Sequence, residues 1–295
     1  MFLNQPNLLL AGAPKCGTTS VYDWLIAHPE VGGGVEKELF YLMDSHDWKF
    51  NPRANISQHG EETYHAFFKQ SAKHIVDGTT LNLYQESAIN YAGKYQTKGV
   101  FFVREPAARV YSTFRYFRDT RTMIDSSISF EQFLGMLEQG QQFNKNNQIS
   151  QCIEQSNYVD YLTKWQSAIG QKNMKIFVFE DFIRNPEAGM RRLCDWLEID
   201  ADFYKDFDFN KANESIVIRN RKLNKLKELF APFVRSKGFK DWLRPLYYRL
   251  NQAPSNLSEK QQDKAIIEQL KQQFDGKNRQ LAQVFGLDLS AWSKK

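Results

Sequence analysis

Residues 7–29 read NLLLAGAPKCGTTSVYDWLIAHP, and their succession of apolar, glycine-rich and periodic segments decides the fold. Leu8, Leu9, Leu10 and Ala11 form a short apolar run of β type that ends in Gly12. Beyond the loop, Val21, Trp24, Leu25 and His28 recur at i, i+3, i+4 and i+7, the spacing of one helix face. Pro29 stops the pattern, because the residue before a proline is driven out of helical backbone. Strand, glycine loop and helix in that order bring backbone N–H groups and the positive end of a helix dipole to one point, which suits an anion.

The same theme returns twice. VFFVREPAARVYSTF begins with an apolar run over Val100–Val103, places Pro106 at a first helical position, and continues with Val110, Phe114 and Phe117 as an apolar stripe. MKIFVFEDF is a third strand. Helices are expected at about 60–70, 129–139, 152–168 and 187–198, and SEKQQDKAIIEQLKQQF opens with Ser258 and Gln261 in capping-box positions ahead of Ile266, Ile267, Leu270 and Phe274. Strand and helix in alternation predict an α/β chain, a P-loop-like three-layer fold with a central mostly parallel sheet flanked by helices, as a single domain over 1–295. EQGQQFNKNNQISQ (138–151) reads as a mobile loop and NQAPSN (251–256) as a connector.

Composition excludes several classes. The 295 residues are 42% hydrophobic and 25% charged, ordinary for a globular chain and unlike a disordered one. Cys16, Cys152 and Cys194 lie far apart and outside metal spacing, so they read as free thiols of a reducing compartment, with no disulfide framework and no metal site. The N-terminus lacks a basic region and a signal-like apolar core, and no run of about 18 apolar residues occurs, so a cytoplasmic location is expected. Net charge is +5, but residues 211–249 hold eleven Lys and Arg against three acids, so the basicity is local. That stretch is either a solvated helix face or a surface for an anionic ligand or membrane.

The loop itself is unusual. Gly12 and Gly17 keep the spacing of a Walker A loop, yet Thr18 stands where that motif has its lysine, and the lysine comes earlier, at Lys15. A lysine at that place stands over the crown of the loop and suits a shorter anion. The plain alternative is a tight strand-to-helix turn. Arg104 follows the second strand, at the ligand-binding edge of an open α/β sheet, with Arg109 and Ser112 at i, i+3 on the helix behind it. These three suggest a second anion site, since arginine offers a planar fork and serine a further donor. Taken singly, Arg109 reads as a surface ion pair and Ser112 as an exposed helix serine; it is their combination with the first loop that points to an anion.

GAPKCGTT and VREPAARVYSTF together resemble the two cofactor signatures of the sulfotransferases that use 3′-phosphoadenosine 5′-phosphosulfate (PAPS). The likeness extends through HPEV, KELFYL, SNYVDYLTKWQSAI, KIFVFEDFIRNPEAGMRRLCDWLEI and FGLDLSAW, and is nearer the bacterial and Golgi carbohydrate type than the phenol and steroid type. The resemblance implies that Ala13, Pro14, Lys15, Cys16, Gly17, Thr18 and Thr19 bind the phosphosulfate and Arg104 and Ser112 the 3′-phosphate, with Arg219 or Arg221 closing over the nucleotide. Glu38 takes the place of the base that accepts the acceptor proton, with Glu36, His46 and His74 as alternatives. Phe40 stands where relatives often have histidine, and Gly78 where some have lysine. Sulfuryl transfer needs no metal, because Lys15 and backbone donors can neutralise the departing oxygen. The implied partner is a hydroxyl-bearing acceptor, a glycan or glycolipid, and no nucleic acid; the basic and aromatic 229–250 stretch suits sugar rings or a lipid surface. Two rivals remain: a P-loop kinase with Glu180 and Asp181 as Walker B acids, and a non-catalytic binding protein on the same fold.

Overall fold

The structure is a computed structural model that describes residues 5–69, 71–209, 217–218, 252–253 and 261–293. Its centre is a five-stranded sheet in the order β2-β3-β1-β4-β5, formed by β1 (Leu8–Gly12), β2 (Val31–Gly33), β3 (His74–Asp77), β4 (Lys98–Val103) and β5 (Met174–Val178). Every pairing in it is parallel. Helices follow the strands: α1 (Thr18–Ala27), α2 (Ile56–His65), α3 (Glu86–Tyr95), α4 (Pro106–Arg115), α5 (Phe130–Glu138), the short α6 (Asn147–Ser150), α7 (Tyr158–Ile169), α8 (Phe179–Arg184), α9 (Pro186–Leu197) and α10 (Lys264–Phe285).

The middle strands carry no polar alternation because both of their faces are covered by helices, as a parallel sheet requires. Leu8, Leu9 and Leu10 are fully buried, as are Val100, Phe101 and Phe102. Each such side chain contributes about 1.5–3 kcal/mol of hydrophobic stabilisation, which fixes β1 and β4 as the rigid floor of the molecule. A second core lies beyond α4, where Val110, Phe114 and Phe117 pack with Phe130, Phe133, Leu270 and Phe274. The expected stripe on α4 and the apolar face of α10 therefore meet each other.

Several expectations change. β2 and β3 were not visible as strands: β2 is three residues long and two of them are glycine, and β3 is HIVD, bracketed by polar residues. The helix expected at about 60–70 lies at Ile56–His65, started by Asn55, whose side chain accepts the Ser57 amide. The helix expected from 152 starts at Tyr158, after a 3₁₀ turn over Glu154–Ser156. The 138–151 segment is no free loop. Phe143, Asn146 and Ile149 are buried, Asn147 donates to Asp47, and α6 lies inside the segment. Its polar composition hid three buried anchors, of which Phe143 and Ile149 join the second core. Gln252–Ala253, in the expected connector, pairs antiparallel with Val217–Ile218. Ser258 and the rest of 211–249 lie outside the described residues. No helix among the described residues is long and apolar enough to cross a membrane.

Candidate active site

The register of the sheet assembles the site. Leu10 pairs with Val100 and Gly12 with Phe101, while Val103 pairs with Val178, so the loop after β1, Arg104 after β4 and Phe179 after β5 emerge together at the carboxyl edge. That is where the chain changes direction across the sheet, with β3 on one side of β1 and β4 on the other.

The 12–20 loop has little room for side chains. A Cβ on Gly12 would stand 2.8 Å from the Leu83 Cβ, and one on Gly17, whose φ is +73°, would stand 2.6 Å from the Phe179 ring. The Ala13 amide is tied to Phe102 O at 2.9 Å, and Pro14 has no N–H. Further along, the N–H groups of Lys15, Cys16, Gly17, Thr18, Thr19 and Ser20 have no backbone acceptor among the described residues, and no side chain caps α1 at Gly17. A helix start always leaves its first N–H groups without intrahelical partners; here the loop adds more of them in one run. Ala13 and Pro14 thus shape the loop without offering a donor. Cys16 is buried, with Sγ 3.7 Å from Pro14 O and 4.0 Å from Tyr158 Oη, and burial pushes its thiol up to about 11. It stays neutral, and the group it leaves unengaged is its backbone amide.

Lys15 has a left-handed φ of +69° and stands over the Tyr116 ring, Nζ 3.9 Å from the ring centre. Burial, and after it the positive field of Arg104, lowers its pKa to about 8; Arg109 acts in the same sense and Glu38 in the opposite one. The Arg104 Nη1 donates to Lys15 O at 3.1 Å, and its guanidinium lies over the Phe179 ring at 5.1 Å. Tyr158 Oη fixes the Arg104 backbone, donating to its carbonyl at 2.8 Å and accepting from its N–H at 3.3 Å. Ser112 is partly exposed on α4.

Arg109 is not part of an anion site. It is fully buried, and its guanidinium donates to Pro14 O (3.0 Å), Cys152 O (3.2 Å), Ser156 Oγ (2.8 Å) and Tyr84 Oη (2.8 Å). The i, i+3 spacing to Ser112 was a true helical neighbour relation, but this part of α4 faces the loop's underside, so Arg109 braces the loop from below. Its charge acts on the site through the field that it adds at Lys15.

Glu38 stands on the 36–40 segment, held by the end of β3. Thr79 Oγ1 accepts from Leu39 N (3.0 Å) and Phe40 N (3.4 Å) and donates to Asp77 Oδ1 (2.6 Å), while Tyr64 Oη donates to the other Asp77 oxygen at 2.6 Å. Burial raises the Asp77 pKa, against the hydrogen bonds from Thr79 and Tyr64. Thr80 Oγ1 donates to Glu38 Oε1 at 2.8 Å, and Lys37 Nζ lies 3.2 Å from the same oxygen. A Cβ on Gly78 would meet Lys37 Cγ at 2.9 Å, so the missing side chain there is the room in which Lys37 runs. Thr79 and Thr80 were missed because their signal, a threonine pair after a strand, required β3 to be recognised first.

The alternatives fare differently. Glu36 and His46 are exposed. His74 opens β3, at the opposite end of the parallel sheet from the loop, and its Nε2 bonds Leu197 O at 2.8 Å. It is excluded by position. Glu180 accepts from Glu105 N (3.0 Å) and Trp292 Nε1 (2.8 Å), and Asp181 pairs with Arg184 at 2.9 Å. The two Walker B candidates are therefore engaged in holding α4, the chain end and α8. Arg219 and Arg221 lie outside the described residues. Among the described residues no three His, Cys, Asp or Glu side chains gather as metal ligands.

Comparison with known proteins agrees with this geometry. The sulfotransferase domain family model matches residues 5–272. The chain is 21% identical over 191 residues to sulfotransferase 6B1 of Pan troglodytes, covering 65% of this chain and 54% of the relative. It is 25% identical over 203 residues to the bifunctional heparan sulfate N-deacetylase/N-sulfotransferase 1 of Caenorhabditis elegans, covering 66% and 22%. It thus spans about half the length of the first relative and about a fifth of the second. A crystal structure of a sulfotransferase from Alicyclobacillus acidocaldarius shares the fold with a TM-score of 0.64 at 18% identity, over 98% of this chain and 99% of that one. The chain belongs to the sulfotransferase domain family, whose general reaction is the transfer of a sulfuryl group.

Proposed function

We propose that the protein transfers the sulfuryl group of PAPS to a hydroxyl of a carbohydrate or glycolipid acceptor, with Glu38 as base and Lys15 beside the departing oxygen. The observation that carries this reading is the run of unengaged N–H groups from Lys15 to Ser20, crowned by a lysine whose pKa is lowered and faced by a carboxylate that Thr80 holds in place. Those donors fit a phosphosulfate: they are many, uncharged apart from Lys15, and backed by Arg104 and the buried Arg109. Arg104, anchored through its own backbone by Tyr158, is free to direct the rest of its guanidinium to a second phosphate together with Ser112.

When bound, the donor supplies a sulfuryl group linked through one bridging oxygen to the nucleotide 5′-phosphate. Lys15 and the loop amides neutralise the negative charge that grows on that bridging oxygen as its bond to sulfur breaks. Glu38 accepts the proton of the acceptor hydroxyl as the new oxygen–sulfur bond forms, a transfer that needs the carboxylate within about 2.6–3.2 Å of that oxygen. The products are a sulfate ester and adenosine 3′,5′-bisphosphate. One of Arg219 and Arg221 closes over the nucleotide in this reading.

The test is binding followed by turnover. Adenosine 3′,5′-bisphosphate should bind about 10-fold or more tightly than adenosine 5′-phosphate, since a charge-assisted contact contributes about 1.5–3 kcal/mol. Arg104→Ala should lose most of that preference. Equal affinities by calorimetry refute the 3′-phosphate site. Sulfate transfer from labelled PAPS to a glycan and glycolipid panel, with divalent metal chelated, then separates an enzyme from a protein that only binds.

A further inference from the structure

The pairing of β4 with β5 ends at Val103, and the backbone groups that follow are held by side chains instead. Arg104 N–H donates to Tyr158 Oη at 3.3 Å, Arg104 O accepts from the same hydroxyl at 2.8 Å, and Glu105 N–H donates to Glu180 Oε1 at 3.0 Å. Three consecutive main-chain groups are thus fixed from two elements, by Tyr158 of α7 and Glu180 of α8. Both of these side chains meet one residue near the end of the chain. Trp292 Nε1 donates to the other Glu180 oxygen at 2.8 Å, and a ring centre of Trp292 lies 6.5 Å from that of Tyr158.

Trp292 is buried, at the close of a 3₁₀ turn over Ser290–Trp292 that folds back onto α8. That turn is itself pinned, with Ser290 N–H donating to Asp288 Oδ1 and Trp292 N–H to Leu289 O, both at 2.9 Å. Packing against Tyr158 needs only an aromatic ring, which phenylalanine would supply. Indole adds an N–H that requires an acceptor when buried, and here the acceptor is the carboxylate that holds Glu105 N–H. No ion pair competes for that carboxylate. Among the described residues neither Glu180 nor Glu105 has an oxygen within 4.0 Å of a charged side-chain nitrogen. The Glu105 carboxylate accepts instead from the N–H groups of Ala107 and Ala108, at 2.9 and 2.8 Å. Both acids therefore leave the Arg104 guanidinium alone. Its Nη1 donates to Lys15 O, and among the described residues its other N–H groups have no hydrogen-bond partner.

We propose that Trp292 is a positioning residue for the nucleotide 3′-phosphate: through Glu180 it fixes the backbone from which Arg104 reaches that phosphate. The inference rests on the reading of Arg104 as the 3′-phosphate ligand, and Trp292 itself touches neither substrate. Without the indole N–H, Glu180 keeps one partner of two, and the oxygen that holds Glu105 N–H is no longer fixed from its far side. The consequence is a loss of aim at Arg104, not a loss of fold, because β4 stays buried and Glu105 still caps α4. A small misplacement weakens a directional charged contact. The loop amides of Lys15 to Ser20 lie on another element and are unaffected, so only a ligand with a 3′-phosphate registers the change.

The experiment titrates the full chain calorimetrically with adenosine 3′,5′-bisphosphate and with adenosine 5′-phosphate and reads the ratio of the two affinities. Trp292→Phe keeps a ring against Tyr158 and removes only the N–H, so it should lower that ratio by about 3–10-fold while adenosine 5′-phosphate binds as before. Glu180→Gln tests the same link from its other partner: with one oxygen it cannot accept both N–H groups as the carboxylate does, and the ratio should fall by a similar factor. Retained adenosine 5′-phosphate affinity shows that each variant is folded. Trp292→Phe in an Arg104→Ala background supplies the readout that a packing role would not move. If Trp292 acts through Arg104, it changes the ratio no further there. An unchanged ratio in Trp292→Phe, a loss shared equally by both nucleotides, or an undiminished further loss in the Arg104→Ala background overturns the positioning role and leaves Arg104 standing as the phosphate ligand. A wild-type ratio near one that Arg104→Ala does not alter refutes the 3′-phosphate reading itself, and the role of Trp292 falls with it.

Discussion

The donor side and the acceptor side of this site are built by opposite means. In the proposed arrangement the loop after β1 holds the donor through the consecutive backbone N–H groups of Lys15 to Ser20, and the only side chain of that loop placed at the reacting bond is Lys15. The proposed acceptor side is assembled from separated pieces: Glu38 and Lys37 from one loop, and Thr79 and Thr80 from beyond the end of β3. A backbone cradle is indifferent to most substitutions and is damaged mainly by a Cβ where none fits. An acceptor surface made of side chains changes with every one of them, which leaves the same fold free to serve many acceptors.

The largest effect expected from this contrast is at Glu38. Glu38→Gln keeps shape and the Thr80 hydrogen bond but cannot accept a proton, so kcat on a competent acceptor should fall by about 10²–10⁴ with bisphosphate affinity nearly intact. Near-normal turnover would move the base to Glu36 or His46 and dissolve the division of labour between the two sides. Lys15→Ala comes next. Its charge matters most as the bridging bond breaks, so kcat should fall by about 10²–10³ while bisphosphate affinity falls much less. A loss confined to affinity would make Lys15 a binding residue and the cradle a simple anchor.

How much of this was legible follows from the same contrast. GAPKCGTT could be read because its chemistry and its geometry are both local: glycine spacing, a strand before it and a helix after it. Arg104 was legible for a similar reason, standing one residue past a strand whose apolar run is unmistakable. Arg109 was misjudged because a buried guanidinium with carbonyl and hydroxyl partners looks, in sequence, like a surface arginine on an amphipathic helix. Thr79 and Thr80 were invisible for a different reason. β3 shows only four residues with histidine and aspartate at its ends, so the chain after it offered no reason to be placed beside Glu38. The 138–151 segment failed likewise, since only Phe143 and Ile149 are apolar among its polar residues, too few to show a buried face.

A smaller effect separates the two sides by pH. Burial and Arg104 lower the Lys15 pKa to about 8, so its charge is present below that pH and lost above it. For the free enzyme, kcat/KM for PAPS should decline above about pH 8, approaching ten-fold per unit well beyond it. The negative charges of bound donor favour the protonated lysine, so the same limb in kcat should lie at higher pH. Lys15→Arg, which stays charged, should remove the limb. A limb unmoved in Lys15→Arg assigns it to another group.

The smallest predicted effect tests whether the acceptor side is positioned by its neighbours. Thr80 donates to Glu38 Oε1, the same oxygen that Lys37 approaches, and it touches neither substrate in the proposed arrangement. Thr80→Val preserves the buried volume but removes the donor, and Thr80→Ser restores the donor with less volume. If Thr80 only fills space, valine should be the milder change. If it holds the carboxylate toward the acceptor oxygen, Thr80→Val should lower kcat by roughly 3–10-fold, the size of one hydrogen bond of about 0.5–1.5 kcal/mol, while Thr80→Ser recovers most of the rate. A rate equally lowered in both variants would show that packing alone sets Glu38, and the acceptor side would then owe its geometry to Thr79 and the buried Asp77 beneath it.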